Sequence, residues 1–578
     1  NFTTATDAYN TAVGFGTGFA VTTGVGNTLL GGLSGDALTD ADYNISIGFN
    51  ALSADTLGSG SVAIGKGALN VQNFTTATTT NNVAVGTAAG GNVTTGIHNT
   101  LIGATAGDAL TSGGSNTVLG RDALSADTLG SRAVAIGEAA LQVQNFTTAT
   151  EHYNVAIGYA AGAAVATGVQ NTLIGGLAGD AITTGYENTA LGTNALGVDT
   201  LGSRSTAIGR AALFAQNFTT ATEAFNTAVG VFTGGAVTTG IQNTLIGGLS
   251  GDALTDADFN TVLGYASLST DTLGSKSTAL GWATLNAQNF TTATDAHNTA
   301  VGFGAGFAVT TASQSTLIGA LSGDALTSGH TNTALGYLTL SADTLGTQSV
   351  AIGSGALQSQ NFTTATTSYN TAVGVNAGAA INTGTGNTML GSQAGDVITT
   401  GADNTCIGKG TDPSAAGGND QIVIGTGFAG GGDATVRFGN SSATATLALD
   451  GSDTSWAAAS DERLKTEIES SPVGLNFINA LRPVTYKWAA KNAIDEDFPY
   501  YDADSSDPCR GTEGKTHHGF VAQEVKAVID ANSSVKDGHN IWSEDPNGTQ
   551  QLANGALIPM LVKAIQELSA EVEKLKGD

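Results

Sequence analysis

The chain has 578 residues, of which 81 are glycine, and its formal net charge is −28. Binding to nucleic-acid phosphates requires clustered lysine and arginine, so this excess of acid argues against a nucleic-acid partner. The sequence contains no run of 18 or more apolar residues, and we therefore expect a protein that does not span a membrane.

The composition changes near residue 432. Residues 1–432 hold 71 of the glycines but only 7 Lys/Arg and 25 Asp/Glu, whereas residues 433–578 hold 13 Lys/Arg and 23 Asp/Glu. We predict one domain over 1–432, a linker or transition over 433–459, and a second domain over 460–578. Because the chain opens within a repeat, without an initiator Met or a signal peptide, we expect it to be part of a longer protein.

Residues 1–432 consist of a 72-residue repeat that occurs six times, each copy beginning with N-F-T-T-A-T. Inside each copy the motif N-T-(A/L)-(V/I/L)-G recurs with its glycines 17, 17, 17 and 21 residues apart, which gives 24 short turns. Near-identical turns predict a parallel β-solenoid, where every turn has the same neighbours. The strands of a propeller blade occupy different environments and have no reason to share one motif. At about 4.8 Å per turn, the 24 turns would form a rod about 115 Å long.

Two positions of the turn are nearly constant. The residue before the glycine is Val, Ile or Leu in all 24 turns, which predicts a stacked aliphatic core. Four residues before the glycine, 17 of the 24 turns have Asn, which predicts a ladder of hydrogen-bonded amides. The glycine permits a backbone bend that a side chain would block.

Two further columns recur every 72 residues. A phenylalanine column could offer exposed rings to a receptor or glycan, or could pack within its own turn or against a neighbouring chain, and we favour packing. A Gly-Asp column lacks the G-G-x-G-x-D pattern of calcium-binding rolls, so we expect solvated or turn-capping carboxylates, no metal site and no cofactor. The columns are Phe74, Phe146, Phe218, Phe290 and Phe362, and Asp36, Asp108, Asp180, Asp252, Asp324 and Asp396.

The second domain has a different pattern. Ser471 followed by Pro472 predicts the start of a helix, the alternation of Val484, Tyr486 and Trp488 predicts a strand, and residues 489–518 are expected to form a long loop. Near the C-terminus, apolar residues spaced 3, 4, 3, 4 and 3 apart predict the a/d seam of a coiled coil that joins several chains. A single amphipathic helix on a globular core is the alternative. The seam residues are Ile558, Leu561, Ile565, Leu568, Val572 and Leu575.

The turns of residues 1–432 resemble the head repeats of trimeric autotransporter adhesins, whose N-S-V-A-I-G motif forms a parallel β-roll in a homotrimer. The turns here are longer than in that family. The resemblance implies a mostly β fold, a trimeric parallel β-solenoid or β-roll fibre of about 24 turns.

Four ordered motifs in the second domain resemble the endosialidase-type intramolecular chaperone, which ends phage tail fibres and tailspikes. This resemblance implies a small α+β domain, ending in a coiled-coil helix, that trimerises, assists folding of the fibre and then removes itself. It also implies a Ser-Lys dyad, Ser460 and Lys465, and cleavage between Ala459 and Ser460. The motifs are S-D-x-R-L-K from Ser460, L-R-P-V-x-Y-x-W from Leu481, G-F-V-A-Q-E-V from Gly519, and L-I-P-x-L-x-K-A-I-Q-E-L from Leu557.

The dyad places a geometric demand on the chain. A serine hydroxyl becomes a good nucleophile when a base takes its proton, and a desolvated lysine can be that base. Residues five apart lie about 140° apart around a helix and on opposite faces of a strand. Neither regular form brings Ser460 and Lys465 together, so we expect a bend, or a lysine from another chain.

These observations favour a homotrimeric phage tail fibre on the virion, with a host surface receptor or glycan as its external partner and self-cleavage as its enzymatic activity. The first alternative is a bacterial trimeric surface adhesin. The second is a tailspike that degrades polysaccharide, which we rank lower because 24 near-uniform turns offer no unique acid pair.

Overall fold

The computed structural model describes residues 5–449, 457–458, 462–498, 500–510, 514–536, 539–545 and 548–577. The chain divides into two compact units, Asn1–Ala459 and Ser460–Asp578.

The first unit is a parallel β-solenoid of about 25 turns, which confirms the predicted fold class. Its turns contribute short strands to one long sheet, and each strand pairs in parallel with the strand of the next turn. The strands are Thr11–Val13, Thr28–Leu30, Ile45–Ile47, Val62–Ile64, Val83–Val85, Thr100–Ile102, Thr117–Leu119, Val134–Ile136, Val155–Ile157, Thr172–Ile174, Thr189–Leu191, Thr206–Ile208, Thr227–Val229, Thr244–Ile246, Thr261–Leu263, Thr278–Leu280, Thr299–Val301, Thr316–Ile318, Thr333–Leu335, Val350–Ile352, Thr371–Val373, Thr388–Leu390, Thr405–Ile407 and Ile422–Thr426.

The middle residue of nearly every strand contributes to the solenoid core, together with apolar residues of the turns between strands such as Leu69 and Ala89. Ala84, Leu101 and Val118 are fully buried at the middle position in successive turns. The aliphatic residue that follows lies on the outer face of the sheet, where Leu30 is 46% exposed and Leu119 45% exposed. The prediction that this constant column forms the core is therefore wrong. Side chains alternate along a strand, so the buried Asn and an aliphatic residue three positions later must face opposite sides.

The asparagine column is buried and connects each turn to the next. The Asn82 amide oxygen accepts a hydrogen bond from the backbone N–H of Asn99, at 2.9 Å, and its NH₂ group donates to the carbonyl of Gly96, at 2.8 Å. In the next turn the Asn99 amide oxygen accepts the backbone N–H of Asn116 in the same way. It also accepts a hydrogen bond from the Asn116 NH₂ group, at 3.1 Å. The predicted ladder is present, and most of its bonds join a side chain to the backbone of the next turn.

The glycine that ends each strand is required by close stacking as well as by the bend. Gly86 has φ +142°, and a Cβ built there would lie 2.3 Å from the carbonyl oxygen of Gly103 on the next turn. No side chain fits so near to a backbone oxygen, so the glycine column sets how closely the turns stack.

The longer fourth turn of each repeat is held by a second, shorter set of parallel pairs. Gly58–Ser59 pairs with Thr78–Thr79, and the pairing recurs along the solenoid. These strands fasten the segment that carries the N-F-T-T-A-T sequence. The other pairs are Gly130–Ser131 with Thr150–Glu151, Gly202–Ser203 with Thr222–Glu223, Gly274–Ser275 with Thr294–Asp295, and Gly346–Thr347 with Thr366–Thr367. A further parallel pair, Thr411–Asp412 with Phe428–Ala429, lies at a different position of the turn.

The described part of the predicted linker, within 433–459, continues the sheet. Thr435–Asn440 adds one more parallel strand to Ile422–Thr426. Thr444–Ala448 then pairs antiparallel with it, and Ala457–Ala458 pairs antiparallel with Thr444–Ala448. The sheet thus changes from parallel to antiparallel at its C-terminal end.

The second unit contains three α-helices, two antiparallel strand pairs and three 3₁₀ turns among its described residues. The helices are α1 (Leu475–Ala480), α2 (Ala522–Asp530) and α3 (Ile558–Gly577). Val484–Tyr486 pairs with His517–Gly519, and Trp542–Glu544 pairs with Gln550–Leu552. The 3₁₀ turns are Glu462–Leu464, Lys491–Ala493 and Asn554–Leu557.

The first helix of this unit begins later than its sequence signal predicts. The Ser471 hydroxyl donates a hydrogen bond to the carbonyl of Val473 and does not cap a helix. Helix α1 starts at Leu475. The backbone N–H of Leu475 instead donates to the carboxylate of Glu567 on α3, at 2.8 Å. A distant glutamate therefore caps α1, because a carboxylate is favourable at a helix N-terminus.

Candidate functional site

The predicted cleavage site lies only partly within the described residues. Ala459 and Ser460, which flank the predicted bond, are outside them. Lys465 is described, exposed to solvent, and follows the 3₁₀ turn Glu462–Leu464, where its backbone N–H donates to the carbonyl of Glu462 at 3.0 Å. The pairing of Ser460 with Lys465 therefore stays a prediction.

The second and third chaperone-like motifs lie side by side in the structure. Pairing of Val484–Tyr486 with His517–Gly519 brings the two segments together. The Arg482 guanidinium bonds the Glu524 carboxylate, with Nε to Oε2 at 2.9 Å. This contact raises the pKa of Arg482 and lowers the pKa of Glu524, because each charge favours the other. Both side chains are exposed, so the contact orients the two segments and contributes little stability.

These motifs surround a small apolar core. Phe477 of α1, Val525 and Ile529 of α2, and Leu557 just before α3 are buried together. Ala564 is the buried position of α3 itself. The helix therefore has one face against its own domain, as the alternative of a single amphipathic helix requires.

A second face of α3 is apolar and uncovered in the single chain. Ile565 is 65% exposed and Leu575 is 78% exposed. The other residues predicted for the seam are exposed as well. An apolar stripe of this length along a helix, adjacent to a face that already packs on its own domain, has the form of a coiled-coil seam. The residues are Ile558, Leu561, Ile565, Leu568, Val572 and Leu575.

The outer face of the solenoid sheet carries a comparable aliphatic column. The residue before each glycine is at least partly exposed in every turn, and several leucines are more than two-fifths exposed. The column runs the length of the solenoid beside threonines at the first strand position. Contiguous exposed apolar surface is uncommon on a monomer and marks contact surfaces. The most exposed members are Val13, Leu30, Leu119, Leu191, Leu263, Leu335 and Leu390.

The phenylalanine column is buried, so the prediction of packing is confirmed and exposed rings at this column are excluded. Phe74 is only 7% exposed and Phe218 only 4% exposed. The Phe290 and Phe362 rings lie against Gly274 and Gly346 of the preceding turn.

The Gly-Asp column differs from a solvated one. One carboxylate oxygen of Asp36, Asp108, Asp252 and Asp324 is buried without a hydrogen-bond partner. Burial raises the pKa of Asp108, as it does for others in the column. Among the described residues, no group of three or more His, Cys, Asp or Glu side chains is close enough to hold a metal ion.

A second aspartate column, which sequence reasoning missed, organises the longer turn. Asp55 is fully buried, and its carboxylate accepts the backbone N–H groups of Gly58 and Phe74, both at 3.1 Å, and the Gln72 Nε2 group at 2.6 Å. Gln72 Oε1 in turn accepts from Asn82 Nδ2 at 2.9 Å. The D-T-L-G motif with a glutamine 17 residues later is the signal that could have found it. The equivalent residues are Asp127, Asp199, Asp271 and Asp343.

Asp396 and Asp412 form an acid pair that the other repeats lack, so the expectation of no unique acid pair is wrong. Burial and the neighbouring charge of Asp396 raise the pKa of Asp412 to about 6. Asp412 stands where the preceding repeats have a buried leucine such as Leu340. One oxygen of Asp412 is shielded from solvent and has no hydrogen-bond partner. The two carboxyl groups of a glycosidase flank an accessible sugar bond, so this acid pair does not have the arrangement of a glycosidase site.

Every helix in the described part of the chain is too short or too polar to cross a bilayer. Comparison with protein families matches residues 460–533 to the family described as chaperone of endosialidase, Peptidase_S74. No curated protein and no solved structure matches the chain. The C-terminal unit is thus similar to an endosialidase-type chaperone over residues 460–533, and it follows a parallel β-solenoid.

Proposed function

We propose that this protein is the shaft of a homotrimeric phage tail fibre, followed by a chaperone domain that cleaves itself from the shaft. The observation that carries the proposal is the chaperone-like match over 460–533 directly after a solenoid of about 25 turns. The mature product, residues 1–459, would form part of the virion tail and contact the host surface.

The trimer is supported by apolar surface in both units. The shaft exposes an aliphatic column along its sheet, and α3 exposes the seam that begins at Ile558. Each column is uncharged at its centre. Covering it would remove apolar side chains from water, which stabilises the assembly by roughly 25 cal/mol per Å² of apolar surface buried. A homotrimer places the same column of each chain at one axis.

The chemistry of cleavage follows from the position of the nucleophile. Ser460 Oγ would attack the carbonyl carbon of Ala459, the C–N bond would break, and the acyl group would pass from nitrogen to oxygen. Lys465 would remove the proton from the Ser460 hydroxyl and pass it to the nitrogen of Ser460, which becomes a free amine. Water would then hydrolyse the ester. The products are a carboxylate at Ala459 and a new N-terminus at Ser460.

The base for this reaction would be completed by assembly. A lysine acts as a base when its surroundings exclude water, and Lys465 is exposed in the single chain. We therefore expect neighbouring subunits to enclose it, so that cleavage occurs after the trimer has formed.

A chaperone suits the repetitive shaft. Turns with nearly identical sequences can pair out of register by one turn or by a whole repeat at little cost in contacts. Parallel pairing is slow and leaves open strand edges during folding. Joining three C-termini at α3 would set one register, and later removal of the domain would make unfolding difficult to reverse.

The test is expression of the full chain as wild type, Ser460→Ala and Lys465→Ala, with Ser470→Ala as the matched control. We expect the wild type and the control to give two bands on a denaturing gel, corresponding to 1–459 and 460–578, with Ser460 as the new N-terminus by mass spectrometry. Both dyad variants should give one band. A single full-length band from the wild type, or cleavage in Ser460→Ala, would reject the self-cleavage proposal.

A further inference from the structure

A groove crosses four consecutive turns of the first and second repeats. Its volume is about 410 Å³, within the range of about 300–1,000 Å³ typical of small-molecule sites. At about 4.8 Å per turn, it extends roughly 14 Å along the solenoid. The lining residues are Phe49, Asn50, Lys66, Gly67, Asn70, Thr87, Ala88, Gly91, Asn92 and Asp108.

The groove is open because this part of the repeat has small residues. Gly91 is replaced by Phe307 three repeats later, and Thr87 by Phe303. There, Phe303 stacks on Trp282 with ring centroids 4.8 Å apart, which fills the equivalent space. Departures from the repeat therefore create the groove, whereas the core beneath it keeps its pattern.

The lining offers both apolar and hydrogen-bonding groups. Phe49 is 52% exposed and presents an aromatic ring. Asn70 and Asn92 provide amides that both donate and accept, and alanine replaces Asn92 in the next four repeats. Asn50 Oδ1 and Asp108 Oδ1 are shielded from solvent, and Asn70 Oδ1 already accepts from the Ser53 hydroxyl at 2.8 Å. The groups left to bond a ligand are therefore the exposed Asn92 amide, the Asn70 NH₂ group and the Lys66 ammonium.

The charges that line the groove favour a neutral ligand over an anionic or a cationic one. Lys66 and Asp108 supply one formal positive and one formal negative charge, so the lining has no net charge. A strongly anionic ligand would meet the Asp108 carboxylate, and a cation would meet the Lys66 ammonium. A neutral ligand with many hydroxyl or amide groups and an apolar ring face matches the amides, the two charges and the Phe49 ring together.

We propose that this groove binds a short neutral oligosaccharide, through hydrogen bonds from Asn70, Asn92 and Lys66 and contact of a sugar ring with Phe49. The inference rests on the proposed function, because it gives the fibre's host contact a place and a chemical class. Binding itself requires neither Ser460 nor Lys465.

The repeats provide a matched pair of variants. Gly91→Phe would introduce the residue found at the equivalent Phe307, and it would block the groove. Gly235→Phe makes the same change two repeats away, as the control. A Cβ at either glycine lies 3.2 Å from the carbonyl oxygen three residues earlier, at Ala88 and Phe232 respectively. The two substitutions are therefore expected to perturb the fold equally.

The experiment probes the full chain with an array of neutral and anionic tri- and tetrasaccharides, followed by titration of each glycan that binds. We expect saturable binding of at least one neutral glycan by the wild type and by Gly235→Phe. Binding should be lost in Gly91→Phe and weakened about two- to tenfold in Asn92→Ala, which removes one hydrogen-bonding side chain.

Three results would overturn the groove as a site: no neutral glycan bound, only anionic glycans bound, or equal binding by Gly91→Phe and Gly235→Phe. Denaturing gels and native mass spectrometry on the same samples separate this inference from the proposed function. A chain that trimerises and cleaves but binds no glycan rejects the groove alone. A chain that binds glycan without trimer or cleavage rejects the fibre and chaperone proposal and keeps the groove.

Discussion

The buried His152 predicts that the junction of the second and third repeats loses stability in acid. Its imidazole is fully buried, stacks on Phe146 with ring centroids 5.0 Å apart, and has Nε2 3.8 Å from Asp127 Oδ2. Its Nδ1 accepts the backbone N–H of Asn154 at 3.2 Å, so protonation there would break a bond. Burial lowers the pKa of His152 to about 4, and the Asp127 carboxylate offsets only part of that effect.

The magnitude follows from this pKa. The unfolded histidine takes up a proton near pH 6.5, whereas the folded one stays neutral down to about pH 4. Between these values the unfolded state binds more protons, so stability falls as the pH falls through this window and is lowest below it. The difference of about 2.5 units corresponds to about 3 kcal/mol at most. Local opening would become up to about 300-fold more frequent.

The assay is hydrogen exchange measured by mass spectrometry from pH 7 to pH 4, corrected for intrinsic rates. Peptides covering Val134–Ile136 and Val155–Ile157 report the junction of the second and third repeats. The comparison variant is Ala133→Ser with His152→Thr, which recreates the hydroxyl pair found 72 residues earlier, Ser61 and Thr80, whose oxygens are 2.5 Å apart.

We expect wild-type protection in these peptides to fall relative to the double variant as the pH decreases. The equivalent peptides 72 residues later, where Ala224 takes the place of His152, should behave alike in both proteins. Equal pH dependence of the Val134–Ile136 and Val155–Ile157 peptides in wild type and double variant would refute the reasoning. So would a titration midpoint of His152 near 6.5, measured by exchange of its ring C–H.

Two further predictions concern the ends of the two units. Asp412→Leu should stabilise the last turns by about 1–3 kcal/mol at pH 7.5, because leucine fills this place in the other repeats and the wild-type carboxylate is half-buried. The folded-state pKa of about 6 lies above the usual value, so the wild type regains stability between pH 6 and 4 and the advantage should shrink there. A pH-independent difference in hydrogen exchange at Thr405–Ile407 would contradict this origin. In the second unit, Ile565→Asp should reduce the trimer fraction in native mass spectrometry at least about tenfold, since it puts a charge in each copy of the seam. The exposed Glu571→Lys serves as the control, and a trimer unaffected by Ile565→Asp would exclude the seam.

The periodicity of the sequence predicted the solenoid because each turn sees the same neighbours above and below. Asn82 and its equivalents were correctly placed in a ladder. The same pattern was misread at the aliphatic column, since Leu30 and its equivalents are constant but face outward. A column can be constant because it forms the chain's own core or because it lies at a surface, and composition alone does not distinguish the two.

Predictions from neighbouring residues in the sequence were less reliable where a contact with a distant residue sets the local structure. Ser471 and Pro472 predicted a helix start, but α1 begins at Leu475 because Glu567, 92 residues away, supplies the cap. The Asp55 network was missed for a related reason, since two of its three donors, Gln72 and Phe74, come from the next turn. The predicted dyad remains untested, because Ser460 lies outside the described residues.

The sequence by itself determined the repeat, a parallel solenoid of about 24 turns, the change of composition before the C-terminal unit, and the apolar stripe of α3. These features depend on periodicity and composition, which are local properties of the chain. Only the tertiary structure decided which side of each strand is inside, which aspartates are desolvated, and where the repeat leaves a groove. Those properties depend on which side chains from neighbouring turns share a space, and burial, hydrogen-bond satisfaction and pKa all follow from that arrangement.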